Sequence, residues 1–343
     1  MRRPGQRTVF RAGSPLEVHA DGDPRQGIVG RLKPAEDDAG VTTDTAKASP
    51  IVAVAALMAG ALLAFVGAAL SIRVLSGTLP PLQINIVRTG GGLLLLLGAL
   101  AIRPALARGL DIRRAYRHIP RNVAHASAGV FWTVSIGLLP LATVFSLEFT
   151  APAWAALLAF PILGEKIGRM TMVGVFACII GVLIILRPSP STFDATALLP
   201  LCAALGFGLS VLLTRRLTRT ETTFAILFWM MVIQLTLNAV GSAFWPAAQP
   251  GFAALDSQGL LACLTLAVSG LLSQLCLSRA LHLGEALLVM PLDFLRVPLI
   301  AVIGYWVFGE PLDIWVFIGF GVIAGGIVLG LMAQARKIEE TAL

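Results

Sequence analysis

Ten apolar segments, each long enough to cross a lipid bilayer, make up most of this 343-residue sequence. A helix needs about 20 mostly apolar residues to span the hydrocarbon core. Pro, Gly and charged residues separate the segments, which predict helices over 51–73, 81–102, 119–138, 141–163, 168–187, 196–214, 223–245, 257–279, 284–308 and 312–334. The sequence therefore predicts an all-α integral membrane protein with ten transmembrane helices.

The composition agrees with a membrane protein and excludes an ordinary soluble domain. Hydrophobic residues make up 57% of the chain and charged residues only 13%. A net charge of +7 would favour nucleic-acid binding in a soluble protein. Here the basic residues lie in short loops between apolar segments, so membrane topology explains them and no nucleic-acid partner is expected.

The distribution of Lys and Arg tests the number of helices, because an error of one helix would scramble the alternation of basic loops. Of the 26 basic residues, 22 fall in the terminal segments and alternate loops that ten helices would place in the cytoplasm. The opposite loops contain none. Both termini are therefore predicted to be cytoplasmic. The protein is expected to be a multi-pass protein of the inner (plasma) membrane, in contact with the lipid bilayer.

The two ends of the chain differ from the apolar middle. Residues 1–50 are rich in Gly, Pro, Asp and Arg, carry mixed charge, and show neither helical nor strand periodicity. This composition is typical of disorder. We expect a disordered cytoplasmic tail over 1–50 and a short cytoplasmic tail over 335–343.

An internal repeat relates the two halves of the apolar region. Residues 138–187 match residues 283–332 at an offset of 145, with ten identical positions in fifty. The shared features are a Gly-Glu pair, two further glycines and an intramembrane acid, namely Gly164-Glu165 with Gly309-Glu310, Gly174 with Gly319, Gly181 with Gly326, and Glu148 opposite Asp293. The match predicts five-helix repeats at 51–188 and 194–334. Since five is odd, the second repeat is inverted, as in secondary transporters that work by alternating access.

Several motifs lie at the repeated positions. They are Leu147-Glu-Phe-Thr-Ala-Pro152, Leu163-Gly-Glu165, Leu186-Arg-Pro188, Pro291-Leu-Asp-Phe-Leu-Arg-Val-Pro298 and Phe308-Gly-Glu310. With these motifs the chain resembles the drug/metabolite transporter superfamily, and more narrowly proteins built from two EamA-type repeats. The resemblance implies ten helices, cytoplasmic termini and a central cavity lined by both repeats. It also implies a cargo among amino acids, nucleotide-related metabolites, polyamines or toxic organic compounds.

Ionisable side chains inside membrane spans are costly, about 2.5 to 3.5 kcal/mol at the helix centre, so each needs a partner, a cavity or a function. The candidates in this sequence are Arg73, Arg88, His125, Glu148, Glu285, Asp293 and Arg296. Glu148 lies one turn before Pro152, and Asp293 lies between Pro291 and Pro298. Prolines bend helices and free backbone carbonyls, so these positions suit a cavity.

Two interpretations of the charged residues remain open. In the first, Glu148, Asp293 and Arg296, together with Arg88 and Arg73, bind the substrate or a coupling proton. In the second, Asp293 neutralises Arg296 on its own helix face, while Glu148 pairs with Arg88 or Arg73 and holds the bundle together.

Two uncharged side chains are further candidates for substrate contact. Trp132 lies on nearly the same face of the third helix as His125, where an indole either stacks on a planar substrate or fills the core. Gln274 forms a polar stripe with Gly270 and Ser278 on the eighth helix. Interhelical hydrogen bonds explain such a stripe as well as ligand contacts do.

The glycines of the tenth predicted helix and the glutamates at the ends of two spans are interpreted as structural. Gly321-x-x-x-Gly325 and Gly326-x-x-x-Gly330 permit close backbone approach, within the bundle or across a homodimer. The glutamates of Gly164-Glu165 and Gly309-Glu310 are expected to cap exposed backbone amides.

A secondary transporter of a small metabolite or amphiphilic organic compound fits these features best, with an amino acid or nucleoside-type solute as first guess. The alternatives are a channel, a lipid flippase or an intramembrane enzyme, although no HExxH or GxGD motif is present. The chain has no Walker motif, so a proton or substrate gradient would drive transport. Its four cysteines lack CxxC spacing, and no metal or cofactor is expected.

Overall fold

The computed structural model of the protein describes residues 50–164, 168–187, 195–244, 249–283 and 286–342. These residues contain helices and no β-strand. The described helices belong to one compact unit. Residues 1–49 of the predicted N-terminal tail lie outside the described residues, as do Glu165 and Glu285.

Twelve α-helices occur in the described residues. They are α1 (Pro50–Leu75), α2 (Pro81–Ile102), α3 (Ile119–Leu138), α4 (Leu141–Glu148), α5 (Ala151–Leu163), α6 (Arg169–Leu186), α7 (Leu199–Leu217), α8 (Thr223–Phe244), α9 (Ser257–Leu283), α10 (Ala286–Phe294), α11 (Arg296–Phe308) and α12 (Ile314–Ala342). Short 3₁₀ helices at Pro104–Gly109 and Ile112–His118 lie between α2 and α3, and two more lie at Ala195–Leu198 and Phe252–Ala254.

Nine segments of the described residues are long and apolar enough to cross a membrane. One of them joins α4 and α5, and another joins part of α10 to α11. Helix α3 is not among the nine, although its bounds agree with the predicted third span. Its buried polar residues, which include Arg121, Asn122 and Thr133, lower its hydropathy. The count of ten spans therefore stays a prediction.

Helix α12 is longer than its membrane segment. The apolar part ends at Ala333, but the helix continues to Ala342, through most of the segment predicted as a C-terminal tail. Residues 334–342 include Ala, Arg, Lys and Glu and contain neither Gly nor Pro. These are strong helix formers, so nothing in the sequence stops the helix where the apolar residues end.

Large apolar side chains cover the outer faces of the helices. Leu63, Leu94, Leu264 and Trp306 are 68%, 70%, 68% and 80% exposed. A surface of this kind is unfavourable in water and favourable against lipid tails. The protein is therefore a multi-pass membrane protein, with polar side chains gathered inside the bundle.

The helix contacts follow the internal repeat. Helix α1 packs against α9 and α3 packs against α7, while α2 packs against α8 and α6 against α12. The 145-residue offset relates α1 to α7 and α3 to α9, so the first two contacts are equivalent to each other. It also relates α2 to α8 and α6 to α12, so each of these contacts joins a helix to its own equivalent. This is the arrangement expected for two repeats related by an internal two-fold axis.

Four glycines let α6 and α12 approach closely. A Cβ atom at Gly174 would lie 2.6 Å from the carbonyl oxygen of Gly326, and one at Gly326 would lie 2.7 Å from that of Gly174. Gly181 and Gly319 show the same reciprocal approach, at 2.5 and 2.6 Å. Gly174 is equivalent to Gly319, and Gly181 is equivalent to Gly326. The internal two-fold axis therefore relates the two contacts to each other.

The remaining glycines of α12 do not share this role. Added Cβ atoms at Gly321, Gly325 and Gly330 would meet no atom within 4 Å. Of the four glycines predicted to allow close backbone approach, only Gly326 does so within the described bundle. The homodimer stays a prediction.

Candidate functional site

The fourth and ninth predicted spans are interrupted beside their acids. Helix α4 ends at Glu148, and α10 ends at Phe294, directly after Asp293. Pro152 has no amide hydrogen to donate to the carbonyl of Glu148, and Pro298 has none for the carbonyl of Phe294. The prolines therefore free helix carbonyls next to both acids, at the bends expected from the sequence.

Arg296 lies between the two repeat-related acids. Its Nη1 is 3.5 Å from Oε1 of Glu148, and its Nη2 is 3.6 Å from Oδ2 of Asp293. The side chains of Arg296, Asp293 and Glu148 are only 6%, 8% and 14% exposed. We call these three residues the acid–arginine cluster. It contains the Asp293–Arg296 pair expected from the sequence, and it adds Glu148.

The acid–arginine cluster has unused hydrogen-bonding capacity. Its ion pairs are longer than the usual range for N–H···O hydrogen bonds, about 2.7 to 3.2 Å. Asp293 Oδ1 and Arg296 Nε are buried without a partner among the described residues. Buried polar atoms are normally satisfied, so these two atoms can form further hydrogen bonds.

Three phenylalanine rings enclose the Arg296 guanidinium. Their centroids lie 4.3 Å (Phe65), 4.6 Å (Phe149) and 5.2 Å (Phe145) from its central carbon, which are cation–π distances. These rings could not be identified from sequence patterns alone. One signal pointed to Phe149. The 145-residue offset aligns it with Phe294, and the centroids of these two rings lie 5.3 Å apart.

Trp132 connects α3 to the acid–arginine cluster. Its Nε1 donates a hydrogen bond to Oε2 of Glu148 at 2.7 Å, and its ring packs edge-on against Phe145. The side chain is 5% exposed, so it fills the core and also orients the carboxylate. The two roles considered for Trp132 are compatible.

The charges in the acid–arginine cluster do not balance. Two carboxylates share one guanidinium, which leaves a net charge of −1 when both acids are ionised. A net charge in a poorly solvated site is unfavourable. A proton or a cationic group would neutralise it, so the arrangement is suited to bind either one.

Arg73 lies outside the acid–arginine cluster. Its Nη2 donates to Oε1 of Glu310 at 2.6 Å and to the carbonyl of Leu139 at 2.5 Å. Through Oε2, Glu310 accepts a hydrogen bond at 2.7 Å from the backbone amide of Leu141, the first residue of α4. Glu310 therefore caps a helix, the role expected for the Gly-Glu motif. The cap also ties the end of α11 in the second repeat to α1 and α4 in the first.

Arg88 and Gln274 belong to neither group. In the part of the chain that the structure describes, no hydrogen bond or ion pair reaches either side chain. Glu148 therefore pairs with Arg296, and not with Arg88 or Arg73 as the structural interpretation expected.

An apolar groove lies elsewhere, between α5, α6 and α12. Its lining includes Pro152, Gly174 and Leu331 but no charged side chain. A solute site needs a few polar groups to fix orientation, and this groove offers little beyond Thr171. We therefore assign the candidate site to the acid–arginine cluster.

Two interrupted helices bring charged side chains from both repeats into one buried place, an arrangement typical of membrane transporters. The chain belongs to the EamA-like transporter family, whose model matches residues 51–187 and again residues 195–332.

Relatives support this assignment. A riboflavin transporter from Brucella anthropi is 33% identical over 66% of this chain and 79% of its own length. An S-adenosylmethionine uptake transporter from Rickettsia felis is 24% identical over 59% of this chain and 66% of its own length. A crystal structure of a protein with 17% identity has the same fold, with a TM-score of 0.56 over 84% of this chain and 99% of that one. The protein is thus a small-metabolite transporter and not an enzyme.

Proposed function

We propose that the protein carries a planar heterocyclic metabolite across the inner membrane by alternating access. The observation that carries the proposal is the acid–arginine cluster, where acids from both repeats meet one arginine at the interruptions of two spans. In inverted-repeat carriers, the site lies between the repeats, and exchanging their conformations moves its opening from one side to the other.

The cargo class follows from the aromatic surroundings of the site. Riboflavin and S-adenosylmethionine, the cargoes in the names of the two relatives, each contain a fused nitrogen heterocycle. Flat rings of this kind pack well on aromatic side chains, and Trp132 and three phenylalanines surround the acid–arginine cluster. Among the first guesses, these features favour the nucleoside-type solute over a simple amino acid.

Coupling to a proton gradient is part of the same proposal. One proton would neutralise the acid–arginine cluster, and a cationic group of the cargo would do the same. A carrier that binds a proton on one side and releases it on the other can use the gradient, and intramembrane acids commonly serve this purpose.

Counterflow in proteoliposomes tests the proposed cargo. Vesicles preloaded with riboflavin, S-adenosylmethionine, adenosine or leucine would receive the same labelled compound outside. We expect saturable counterflow with at least one of the three heterocycles and none with leucine. Flux that never saturates would favour the channel alternative, and counterflow with leucine alone would overturn the heterocycle assignment.

The proposed orientation places both termini in the cytoplasm. In a variant with the four native cysteines replaced, single cysteines at Thr78 or Gly251 should react with an impermeant thiol reagent added outside intact cells. Cysteines at Arg108 or Thr220 should react only after the membrane is opened, because they lie in the basic loops. The reverse labelling pattern would overturn this orientation.

A further inference from the structure

Arg88 is a charged side chain within a membrane span, and it has no hydrogen-bond or ion-pair partner among the described residues. It is the eighth residue of the 22-residue helix α2 and is half-buried. Among the described residues, nothing forms a hydrogen bond or ion pair with it, whereas Arg73, Arg121 and Arg296 all have partners. An unpaired charge at this depth is costly, so its presence calls for a function.

The packing around Arg88 leaves room for it. A Cβ atom at Gly129 of α3 would lie 2.7 Å from Arg88 Nη2, and one at Gly270 of α9 would lie 2.7 Å from Arg88 Cγ. Any larger residue at either position would collide with the arginine. The two glycines therefore allow the side chain to extend between α3 and α9.

The side-chain amide of Asn85, one turn before Arg88 on α2, already has partners. Asn85 donates to the carbonyls of Pro81 at 3.1 Å and Gly129 at 3.5 Å, and it accepts a hydrogen bond from Thr133 at 3.3 Å. A guanidinium has five N–H donors. These neighbours take up none of them, so the donors are free for a ligand.

The charges around Arg88 favour an electron-rich ligand. His125 lies within electrostatic range of both Arg88 and Arg121, and its Nδ1 is hydrogen-bonded to the Ser210 hydroxyl at 3.1 Å. In the described ranges, no carboxylate forms an ion pair with Arg88. Gln274 lies one helical turn beyond Gly270 and adds a half-buried amide with no partner.

We propose that Arg88, assisted by Gln274, binds a planar group of the cargo that presents two hydrogen-bond acceptors in one plane. A carboxylate and the O4/N5 edge of an isoalloxazine ring both place two acceptors side by side, and both match the planar fork of a guanidinium. S-adenosylmethionine carries the first group and riboflavin the second. This inference rests on the proposed transport of a heterocyclic metabolite and names the part of the cargo that Arg88 recognises.

Binding to the purified protein tests the recognition. Riboflavin and S-adenosylmethionine serve as probes with the two-acceptor group, and adenosine serves as a probe without it. Arg88→Gln should weaken binding of a two-acceptor probe by about 10- to 100-fold, the loss typical of a hydrogen bond to a charged group, and leave adenosine binding unchanged. Arg88→Lys should retain S-adenosylmethionine better than riboflavin, since an ammonium attracts a carboxylate but lacks the fork. Arg279→Gln, an exposed arginine on α9, is the matched control.

The melting temperature without ligand gives a second, independent test. If Arg88 is kept for a ligand, Arg88→Met should melt at the same or a higher temperature, because it removes an uncompensated charge. If Arg88 holds the bundle together, the variant should melt lower, and that result would overturn the inference.

Equal binding of a two-acceptor probe by wild type and Arg88→Gln would also overturn the inference while leaving the heterocyclic cargo in place. If the wild type binds none of the three probes, the proposed cargo fails. The melting comparison then decides the role of Arg88 by itself, because an unchanged or higher temperature supports a ligand site and a lower one excludes it.

Discussion

Glu148→Gln is expected to reach the membrane folded and to lose most of its transport activity. Glutamine keeps the shape of the side chain and can still accept the hydrogen bond from Trp132. It removes the charge that leaves the acid–arginine cluster at −1, so the site no longer binds a proton or a cationic group. Loss of a charge-assisted interaction should lower the transport rate at limiting substrate by about 10- to 100-fold.

Initial rates in proteoliposomes, normalised to the amount of inserted protein, measure this effect. Asp111→Asn is the matched control, because Asp111 is the N-cap residue directly before the 3₁₀ helix Ile112–His118 and is 45% exposed. Wild-type rates in Glu148→Gln would exclude a role for Glu148 in the transport cycle. Failure of the variant to fold would instead favour the structural interpretation, in which the acids hold the bundle together.

Arg296→Met separates these interpretations further. It leaves two buried carboxylates without their shared cation, and breaking a buried pair in this way typically costs about 3 to 5 kcal/mol. We expect little folded protein from Arg296→Met. Combining it with Glu148→Gln and Asp293→Asn should restore folding without restoring transport.

Gly181→Leu is expected to prevent normal assembly of the bundle. A Cβ atom at Gly181 would lie 2.5 Å from the carbonyl oxygen of Gly319 and 2.5 Å from Cγ1 of Ile323. Because a backbone atom cannot turn aside as a flexible side chain can, α6 and α12 must separate. Overpacking usually costs about 1 to 3 kcal/mol, and a clash with backbone should reach the upper end of that range.

Gly325→Leu provides the matched control on α12, since a Cβ atom there would meet nothing within 4 Å. Melting temperature and elution as a single species in detergent distinguish the two variants. Equal stability of Gly181→Leu and Gly325→Leu would contradict the close crossing of α6 and α12.

Helix positions were largely predictable, because a chain can cross a bilayer only where an apolar segment is long enough. The Pro, Gly and charged residues at its ends mark where such a segment stops. The predicted spans 81–102 and 119–138 agree with α2 and α3. The interruptions were partly predictable, since Pro152 and Pro298 remove specific backbone donors. The helical continuation of α12 beyond Ala333 was not, because polarity shows where a membrane segment ends and not where a helix ends.

The residues of the candidate site were easier to predict than their partners. Intramembrane charge alone identified Glu148, Asp293 and Arg296 in the sequence. Which carboxylate faces which arginine depends on how each helix is rotated in the bundle. Sequence spacing predicts such a contact only between residues a few positions apart. The Asp293–Arg296 pair on neighbouring turns was therefore predictable, whereas Arg73 pairs with Glu310, 237 residues away.

The acid–arginine cluster distributes its charges unequally between the repeats. Glu148 and Asp293 are equivalent, but the equivalent of Arg296 is Ala151, and that of Arg73 is Thr218. Two chemically identical halves would give the outward-open and inward-open conformations the same free energy, since each conformation would be the other with the halves exchanged. Arginines present in only one half break that equality. The two open conformations of such a carrier are therefore free to differ in free energy, and the bare protein can favour an opening toward one side of the membrane.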